Sequence, residues 1–230
     1  MILEVIATTI DDIAVASASS ADRIELVSGI AEGGLTPSIG LVEAAVATSK
    51  IPVYVMIRPH SQSFTYSEAD ITLMIRDIEA VKACGAPGIV IGSNNSNRQI
   101  DIQSLERLLK AADGLDVTYH RAFDELVDQF EGLKVLAQYP AISRILTSGG
   151  ADKAIDSMEH LKRLQQRAVE LGLHLQGGSG LSVENTEQFL RETGIGQVHY
   201  GSAVRVDSSF SKPMDPNRIY AIRQILKPFE

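Results

Sequence analysis

Eight short runs rich in valine and isoleucine recur along the chain, separated by longer segments in which apolar residues have helical spacing. We predict strands at Ile2–Ile6, Arg23–Val27, Val53–Ile57, Gly88–Gly92, Val117–His120, Arg144–Thr147, His174–Gln176 and Gln197–Tyr200. Short runs of this composition are typical of strands that are buried on both faces. The segment Ile71–Lys82 is the clearest of the intervening helices, because its apolar residues recur every three or four positions.

This alternation predicts an α/β fold, a single-domain (β/α)8 TIM barrel. A doubly wound open sheet is the main alternative, but it usually has about five or six strands, and no GxGxxG motif follows the first strand here. No linker or low-complexity stretch divides the chain. We therefore expect one barrel domain over residues 1–230, with a C-terminal tail and helix at about 210–230.

The composition excludes several classes of function. With 29 acidic and 21 basic residues the formal net charge is −8, which argues against nucleic-acid binding. No apolar run approaches the roughly 20 residues of a membrane span, and the N-terminal residues do not resemble a signal peptide. One cysteine cannot form an internal disulfide or a multi-cysteine metal site. We expect a cytoplasmic protein that binds neither nucleic acid nor membranes, and a homo-oligomer is compatible with this composition.

In a barrel of this kind, the residues that carry out chemistry lie at the carboxyl ends of the strands. Neighbouring side chains along a strand point to opposite faces, so the apolar residues Ile24 and Leu26 assign Glu25 to the interior. The same alternation directs polar residues in or just after four other strands toward one mouth. The predicted catalytic residues are Glu4, Glu25, Arg58, His120, Arg121, Asp124 and His199.

Charged groups gathered inside a barrel allow two interpretations. An unpaired buried charge is costly, so these groups either pair with one another, as Glu25 could with Arg58, or serve a ligand. For the set as a whole we expect a ligand or active site. The carboxylates and imidazoles among them could also hold a divalent cation, but no HxxxH or similar spacing supports this, and metal ligands stay unassigned.

Turns rich in glycine follow the sixth, seventh and eighth predicted strands. Glycines expose backbone N–H groups, and a helix N-terminus adds a positive dipole end, so such turns can hold a phosphate or carboxylate. The predicted anion-binding or phosphate-binding residues are Ser148, Gly149, Gly178, Ser179, Gly180, Gly201 and Ser202. A purely steric role for these glycines is the alternative. Cys84 lies at the end of a predicted helix, on the opposite face from these turns.

Seven segments in order along the chain resemble the CutC family of copper homeostasis proteins. They are Ala21–Leu26, Glu32–Ser38, Ile57–Pro59, Thr118–Asp124, Arg144–Gly149, Gly178–Gly180 and Val198–Ala203. The resemblance implies a (β/α)8 barrel and cytoplasmic copper handling, with Cu(I) binding in some members. Some members carry cysteines where this chain has Ala7, Thr8 and Val27. Because the thiolates that Cu(I) prefers are missing, we do not expect direct Cu(I) binding. No cofactor is evident, and copper follows from the resemblance alone.

Three functions are therefore open. The first is a copper homeostasis protein. The second is a TIM-barrel enzyme of the isomerase or lyase type that acts on a small anionic or phosphorylated metabolite. In such an enzyme Glu25 or Glu4 would carry a proton together with His120. Arg58 and Arg121 would bind the anionic group. No lysine lies at a predicted strand end, which argues against a Schiff-base aldolase. The third is a non-catalytic scaffold or sensor.

Overall fold

The computed structural model describes residues 1–230 and shows eight parallel strands that pair in chain order and close into a barrel. The strands are β1 Ile2–Ala7, β2 Arg23–Leu26, β3 Val53–Met56, β4 Gly88–Ile91, β5 Asp116–Tyr119, β6 Ile142–Thr147, β7 His174–Gly177 and β8 Gln197–Tyr200. The barrel closes where β8 pairs with β1, with Glu4 opposite His199. The predicted (β/α)8 barrel is confirmed, and every predicted strand is present.

Eight α-helices cover the outside of the barrel. They are α1 Ile10–Ala18, α2 Ile39–Thr48, α3 Glu68–Ala83, α4 Ile102–Ala111, α5 Gln129–Leu136, α6 Met158–Glu170, α7 Thr186–Thr193 and α8 Pro216–Leu226. The longest, α3, begins with a capping box in which Ser67 and Asp70 satisfy each other's backbone N–H groups. None of the helices combines the length and the apolar composition that crossing a bilayer requires.

The apolar core lies between the strands and the helices. Outward-facing strand residues such as Val5, Ile24 and Val55 are fully buried there against the helices. The interior of the barrel is different, because it holds charged residues together with a small apolar group that includes Tyr54 and Met56. Alternation along each strand thus separates an apolar outer layer from a polar inner one.

A polar plug fills the amino-terminal end of the barrel. The Tyr54 ring lies between two guanidinium groups, with its centroid 5.2 Å from Cζ of Arg23 and 4.8 Å from Cζ of Arg144. Its hydroxyl donates a hydrogen bond to Asp116 at 2.7 Å, and Arg144 forms an ion pair with the same carboxylate. With this end filled, the polar residues nearer the carboxyl ends of the strands face the opposite mouth.

The plug predicts a strict requirement for glycine at position 88. A Cβ atom at Gly88 would lie 2.2 Å from Cε1 of Tyr54 and 2.6 Å from the backbone oxygen of Asp116. Gly88→Ala should therefore destabilise the protein by about 1–3 kcal/mol through overpacking. Gly40→Ala in α2 is the control, because no atom lies within 4 Å of its added Cβ, and it should gain roughly 0.5 kcal/mol. Chemical denaturation measures both, and equal stabilities would contradict the packing described.

Candidate functional site

A cavity of about 400 Å³ opens at the carboxyl ends of the strands. Its polar lining contains five of the seven predicted catalytic residues: Glu25, Arg58, His120, Arg121 and His199. Four of the seven predicted anion-binding residues also line it: Ser179, Gly180, Gly201 and Ser202. Chain segments far apart in sequence thus bring acidic, guanidinium and imidazole groups to one mouth.

Glu4 lies beneath the cavity and does not line it. One of its carboxylate oxygens, Oε1, is 2.7 Å from Nδ1 of His199 and accepts a hydrogen bond from Gln176 at 2.6 Å. The other oxygen forms an ion pair with Arg23. This buried carboxylate is therefore fully engaged, and it positions His199 rather than contacting a ligand.

The contacts of Glu4 fix the protonation of the residues around it. Burial alone would raise the pKa of Glu4, but Arg23 and His199 outweigh burial and hold that pKa well below its usual range. Burial alone would lower the pKa of His199, but the neighbouring carboxylates of Glu25 and Glu4 raise it. His199 is thus favoured as an imidazolium, with the Nδ1 proton directed to Glu4.

Glu25 is the one carboxyl group that lines the cavity. Its Oε2 lies 3.6 Å from Nε2 of His199, whereas its Oε1 is buried and has no hydrogen-bond partner. Burial raises the pKa of Glu25 to about 7, with a further contribution from Glu4 and partial opposition from His199 and Arg23. A carboxyl group with this pKa can both accept and donate a proton near neutral pH.

His120 is a neutral hydrogen-bond donor. Its Nδ1 accepts the backbone N–H of Ala122 at 3.1 Å, and its ring packs on Phe64 with the centroids 4.8 Å apart. Burial, assisted by the positive charge of Arg58, lowers the pKa of His120 to about 3. The proton of the neutral ring therefore lies on Nε2, and this buried nitrogen has no partner in the protein.

Arg58 is buried without a carboxylate partner. Its Nη1 donates to the backbone oxygens of Glu32 at 2.9 Å and Gly34 at 3.1 Å, and Cζ lies 4.7 Å from the centroid of the Phe64 ring. Its Nε has no hydrogen-bond partner. No ion pair forms between Arg58 and Glu25, so the structural ion-pair interpretation of these two residues does not hold. A guanidinium in this position is available to an anion.

Asp124 and the turn after β6 lie outside the cavity lining. Asp124 accepts hydrogen bonds from Arg121 Nε at 2.8 Å, from Ser148 Oγ at 2.9 Å and from the N–H of Gly150 at 3.2 Å. The N–H of Gly149 donates to Thr147 at 2.9 Å. These groups hold the turn in place, and they leave the guanidinium of Arg121 at the edge of the mouth.

The turn after β7 forms part of the rim. Ser179 and Gly180 are consecutive left-handed residues, with φ angles of 75° and 71°, and their N–H groups donate to no protein acceptor. Successive N–H groups in such turns can form a concave site for anions. Gly178 lies lower, where its N–H donates to Thr147. The helix α7 begins at Thr186, and before it the side chain of Asn185 closes a further turn by accepting from the N–H of Ser182 at 2.8 Å.

Two aromatic residues of the mouth were missed by the sequence reasoning. Phe64 and Phe210 line the cavity, yet both lie in long loops without helical or strand periodicity. Phe210 packs closely on Gly201, since a Cβ there would lie 2.8 Å from Cζ of the ring. An isolated aromatic residue in a polar loop is the only sequence signal that could have indicated either one.

The donor atoms of the mouth do not fit a resident copper ion. No cluster of three or more His, Cys, Asp or Glu side chains could hold a metal ion. Both nitrogens of His199 face carboxylates, which leaves Nε2 of His120 as the one imidazole nitrogen in the cavity lining without a partner. Cys84 follows α3 at the opposite end of the barrel, where its thiol contacts the backbone oxygen of Ala80.

Comparisons with known proteins find relatives of this chain. A model of the CutC family matches residues 1–204. A family protein CutC from Caulobacter vibrioides is 40% identical over 199 residues, which covers 86% of this chain and 80% of that protein. One from Mesorhizobium japonicum is 37% identical, covering 90% of this chain and 80% of the relative.

Solved structures agree with these matches. The crystal structure of a candidate copper homeostasis protein CutC from Streptococcus agalactiae has a TM-score of 0.81 at 32% identity, covering 87% of this chain and 98% of that one. A phosphoribosyl anthranilate isomerase from Thermococcus kodakaraensis has a TM-score of 0.66 at 17% identity, with 98% of both chains covered. At that identity, the second likeness shows the barrel fold alone.

The raised pKa of Glu25 predicts a specific pH dependence of stability. Because its pKa is about 7 in the folded protein and about 4.5 when exposed, stability should fall as pH rises from 5 to 8, by roughly 2.5 kcal/mol. The raised pKa of His199 acts in the same direction. Glu25→Gln cannot ionise and should remove most of this loss. Urea denaturation at pH 5 and pH 8 measures the difference.

The control for this experiment is Glu187→Gln, which removes an exposed carboxylate that pairs with Arg191 on α7. Its stability should follow that of the unmodified protein at both pH values. If Glu25→Gln and the unmodified protein lose stability in parallel between pH 5 and pH 8, the carboxyl of Glu25 does not have the raised pKa.

Proposed function

The chain belongs to the CutC family, and from that premise we propose that it serves copper homeostasis by binding a small anionic ligand in the barrel mouth. The role in copper homeostasis is supported by the name of the similar Streptococcus agalactiae protein, a candidate copper homeostasis protein CutC. The ligand class is supported by one observation, the buried guanidinium of Arg58 that has no carboxylate partner. Direct Cu(I) binding by thiolates is not part of the proposal.

The energetics of burial favour an anion at Arg58. A buried charge without a counter-ion is unfavourable by several kcal/mol unless a ligand compensates it. Two backbone oxygens satisfy only Nη1, and the Nε donor is left over. A phosphate or carboxylate presents two oxygens to a guanidinium and forms charge-assisted hydrogen bonds with it. The unpaired N–H groups of Ser179 and Gly180 could serve a second oxygen-rich group on the rim.

The donor groups that line the mouth distinguish this role from direct binding of copper. Cu(I) prefers thiolate and thioether ligands, whereas the mouth presents no thiolate and a single thioether, that of Met56, among oxygen, imidazole and guanidinium groups. We propose that the connection to copper is indirect and passes through the bound anion. A cytoplasmic location belongs to the same proposal, and the single free thiol of Cys84 is compatible with a reducing compartment.

A catalytic function of the same mouth is the second candidate. It is favoured by the carboxyl of Glu25, whose Oε1 is buried without a partner in a cavity that also presents the neutral ring of His120. Acid–base groups with shifted pKa values are typical of active sites, although structural networks can shift pKa values as well. An isomerase or lyase acting on the bound anion would use both groups.

The proposal predicts that anion binding depends on Arg58. Calorimetric titration with inorganic phosphate and with ribulose 5-phosphate should show binding to the unmodified protein. The affinity should fall about 10- to 100-fold in Arg58→Ala, because a charge-assisted hydrogen bond is lost. Arg58→Lys should retain part of the affinity, since it keeps the charge without the planar fork.

Arg163→Ala is the matched control, because this arginine also packs on an aromatic ring, that of Phe130, but lies on α6 away from the mouth. It should bind both anions as the unmodified protein does. Anion binding that is unchanged in Arg58→Ala would contradict the ligand site. Tight retention of Cu(I) against a chelator, lost in Cys84→Ser, would contradict the indirect role in copper homeostasis.

A further inference from the structure

We propose that the barrel mouth catalyses the enolisation of a small anionic α-hydroxycarbonyl compound, with Glu25 as the base and His120 as the hydrogen-bond donor to the carbonyl oxygen. The inference rests on the proposed function, because the anion held at Arg58 would place the carbonyl group against these two residues. It adds a reaction class and a substrate class to that site.

Three residues that line one cavity each carry a buried polar atom with no partner in the protein: Oε1 of Glu25, Nε2 of His120 and Nε of Arg58. Leaving such atoms unsatisfied is unfavourable, and native proteins have few of them. Two of the three are donors and one is a carboxyl oxygen. The complementary ligand therefore offers acceptor oxygens to the imidazole and guanidinium, and a proton or a hydroxyl to the carboxyl.

The positions of Arg58 and His120 relative to each other are fixed by Phe64. The ring of Phe64 lies 4.7 Å from Cζ of Arg58 and 4.8 Å from the centroid of the His120 ring. Two donors that contact the same aromatic ring are neighbours in the mouth. A single small molecule can thus place its anionic group at Arg58 and a second oxygen at His120.

His120 is held as a donor of one defined tautomer. The N–H of Ala122 occupies Nδ1, so that the proton of the neutral ring lies on Nε2. Gly92 permits this placement, because a Cβ there would lie 2.6 Å from Nδ1 of the ring. A fixed neutral imidazole can stabilise the negative charge that develops on a carbonyl oxygen during enolisation.

Glu25 is suited to remove a proton from carbon. It is buried next to His199, with Glu4 and Arg23 behind that histidine, and its raised pKa gives it a stronger affinity for a proton than an ordinary carboxylate has. No lysine lines the cavity, so the substrate is activated through hydrogen bonds and not through an imine.

The reaction balances without a co-reactant. The carboxylate of Glu25 takes the proton from the hydroxyl-bearing carbon next to the carbonyl group. The electron pair of that C–H bond forms a C=C bond, and the carbonyl π pair moves to the oxygen, which accepts a hydrogen bond from Nε2 of His120. The hydroxyl proton passes to this oxygen, and the oxygen that loses it forms the new carbonyl group with its own carbon. The C=C pair then takes the proton back from the carboxyl of Glu25 and forms a C–H bond at the former carbonyl carbon. The product is the isomeric α-hydroxycarbonyl compound.

The test is proton exchange between substrate carbon and solvent. The full chain is incubated in D2O with dihydroxyacetone phosphate and with ribulose 5-phosphate, and NMR follows deuterium entering the carbon next to the carbonyl. We expect exchange with at least one of them. Glu25→Gln and His120→Phe should each slow it by about 100-fold or more, while titration calorimetry shows the same ligand still bound. Glycerol 3-phosphate, which has no carbonyl group, is the matched non-exchanging ligand.

His120→Gln distinguishes chemistry from structure. Its side-chain amide can present an N–H near the position of Nε2, so it should recover part of the exchange that His120→Phe loses. Arg163→Ala should exchange at the unmodified rate. Ligand that binds through Arg58 without exchange overturns the inference and leaves the proposed function standing. Exchange that survives in Glu25→Gln overturns the role of the base. Absence of all anion binding overturns both the inference and the proposed function.

Discussion

The buried carboxylate of Glu4 organises the charges of the barrel interior. It pairs with Arg23, accepts from Gln176 and holds His199 as an imidazolium. A carboxylate at this depth can stay ionised only because these partners compensate its burial. His199 in turn faces Glu25, so that Glu4 indirectly sets the charge of the cavity floor. Arg58 at the mouth, by contrast, donates to backbone oxygens and pairs with no carboxylate.

Much of this arrangement follows from the alternation of side chains between the two faces of each short strand. The apolar neighbours of Glu25 and His199 already place both residues inside the barrel, and the rule that barrel chemistry lies at the carboxyl ends of strands adds Arg58 and His120. This alternation does not show how deep in the barrel a side chain lies, however. Glu4 and His199 lie opposite each other in the register of β1 and β8, and only the closed barrel shows that Glu4 lies beneath the cavity.

Other features depend on tertiary contacts that a single sequence does not contain. From the sequence, Asp124 is expected at the mouth because it follows β5, but its oxygens accept hydrogen bonds from the turn after β6. Phe64 and Phe210 reach the cavity from loops whose paths are set by packing, on Arg58 in one case and on Gly201 in the other. The exposed N–H groups after β7 result from left-handed angles at Ser179 and Gly180, of which only the glycine is suggested by residue type.

Family membership and local chemistry address different questions about this chain. A similar CutC protein from Streptococcus agalactiae is named for copper homeostasis, whereas three residues of this mouth carry buried polar atoms without partners that suit an oxygen-rich anion. The most direct test of the proposed ligand site is a crystal structure of the full chain with ribulose 5-phosphate. The phosphate should lie on Arg58, the carbonyl oxygen within hydrogen-bonding distance of Nε2 of His120, and the adjacent carbon opposite Oε1 of Glu25. A ligand bound outside the mouth, with these three atoms still unpartnered, would contradict it.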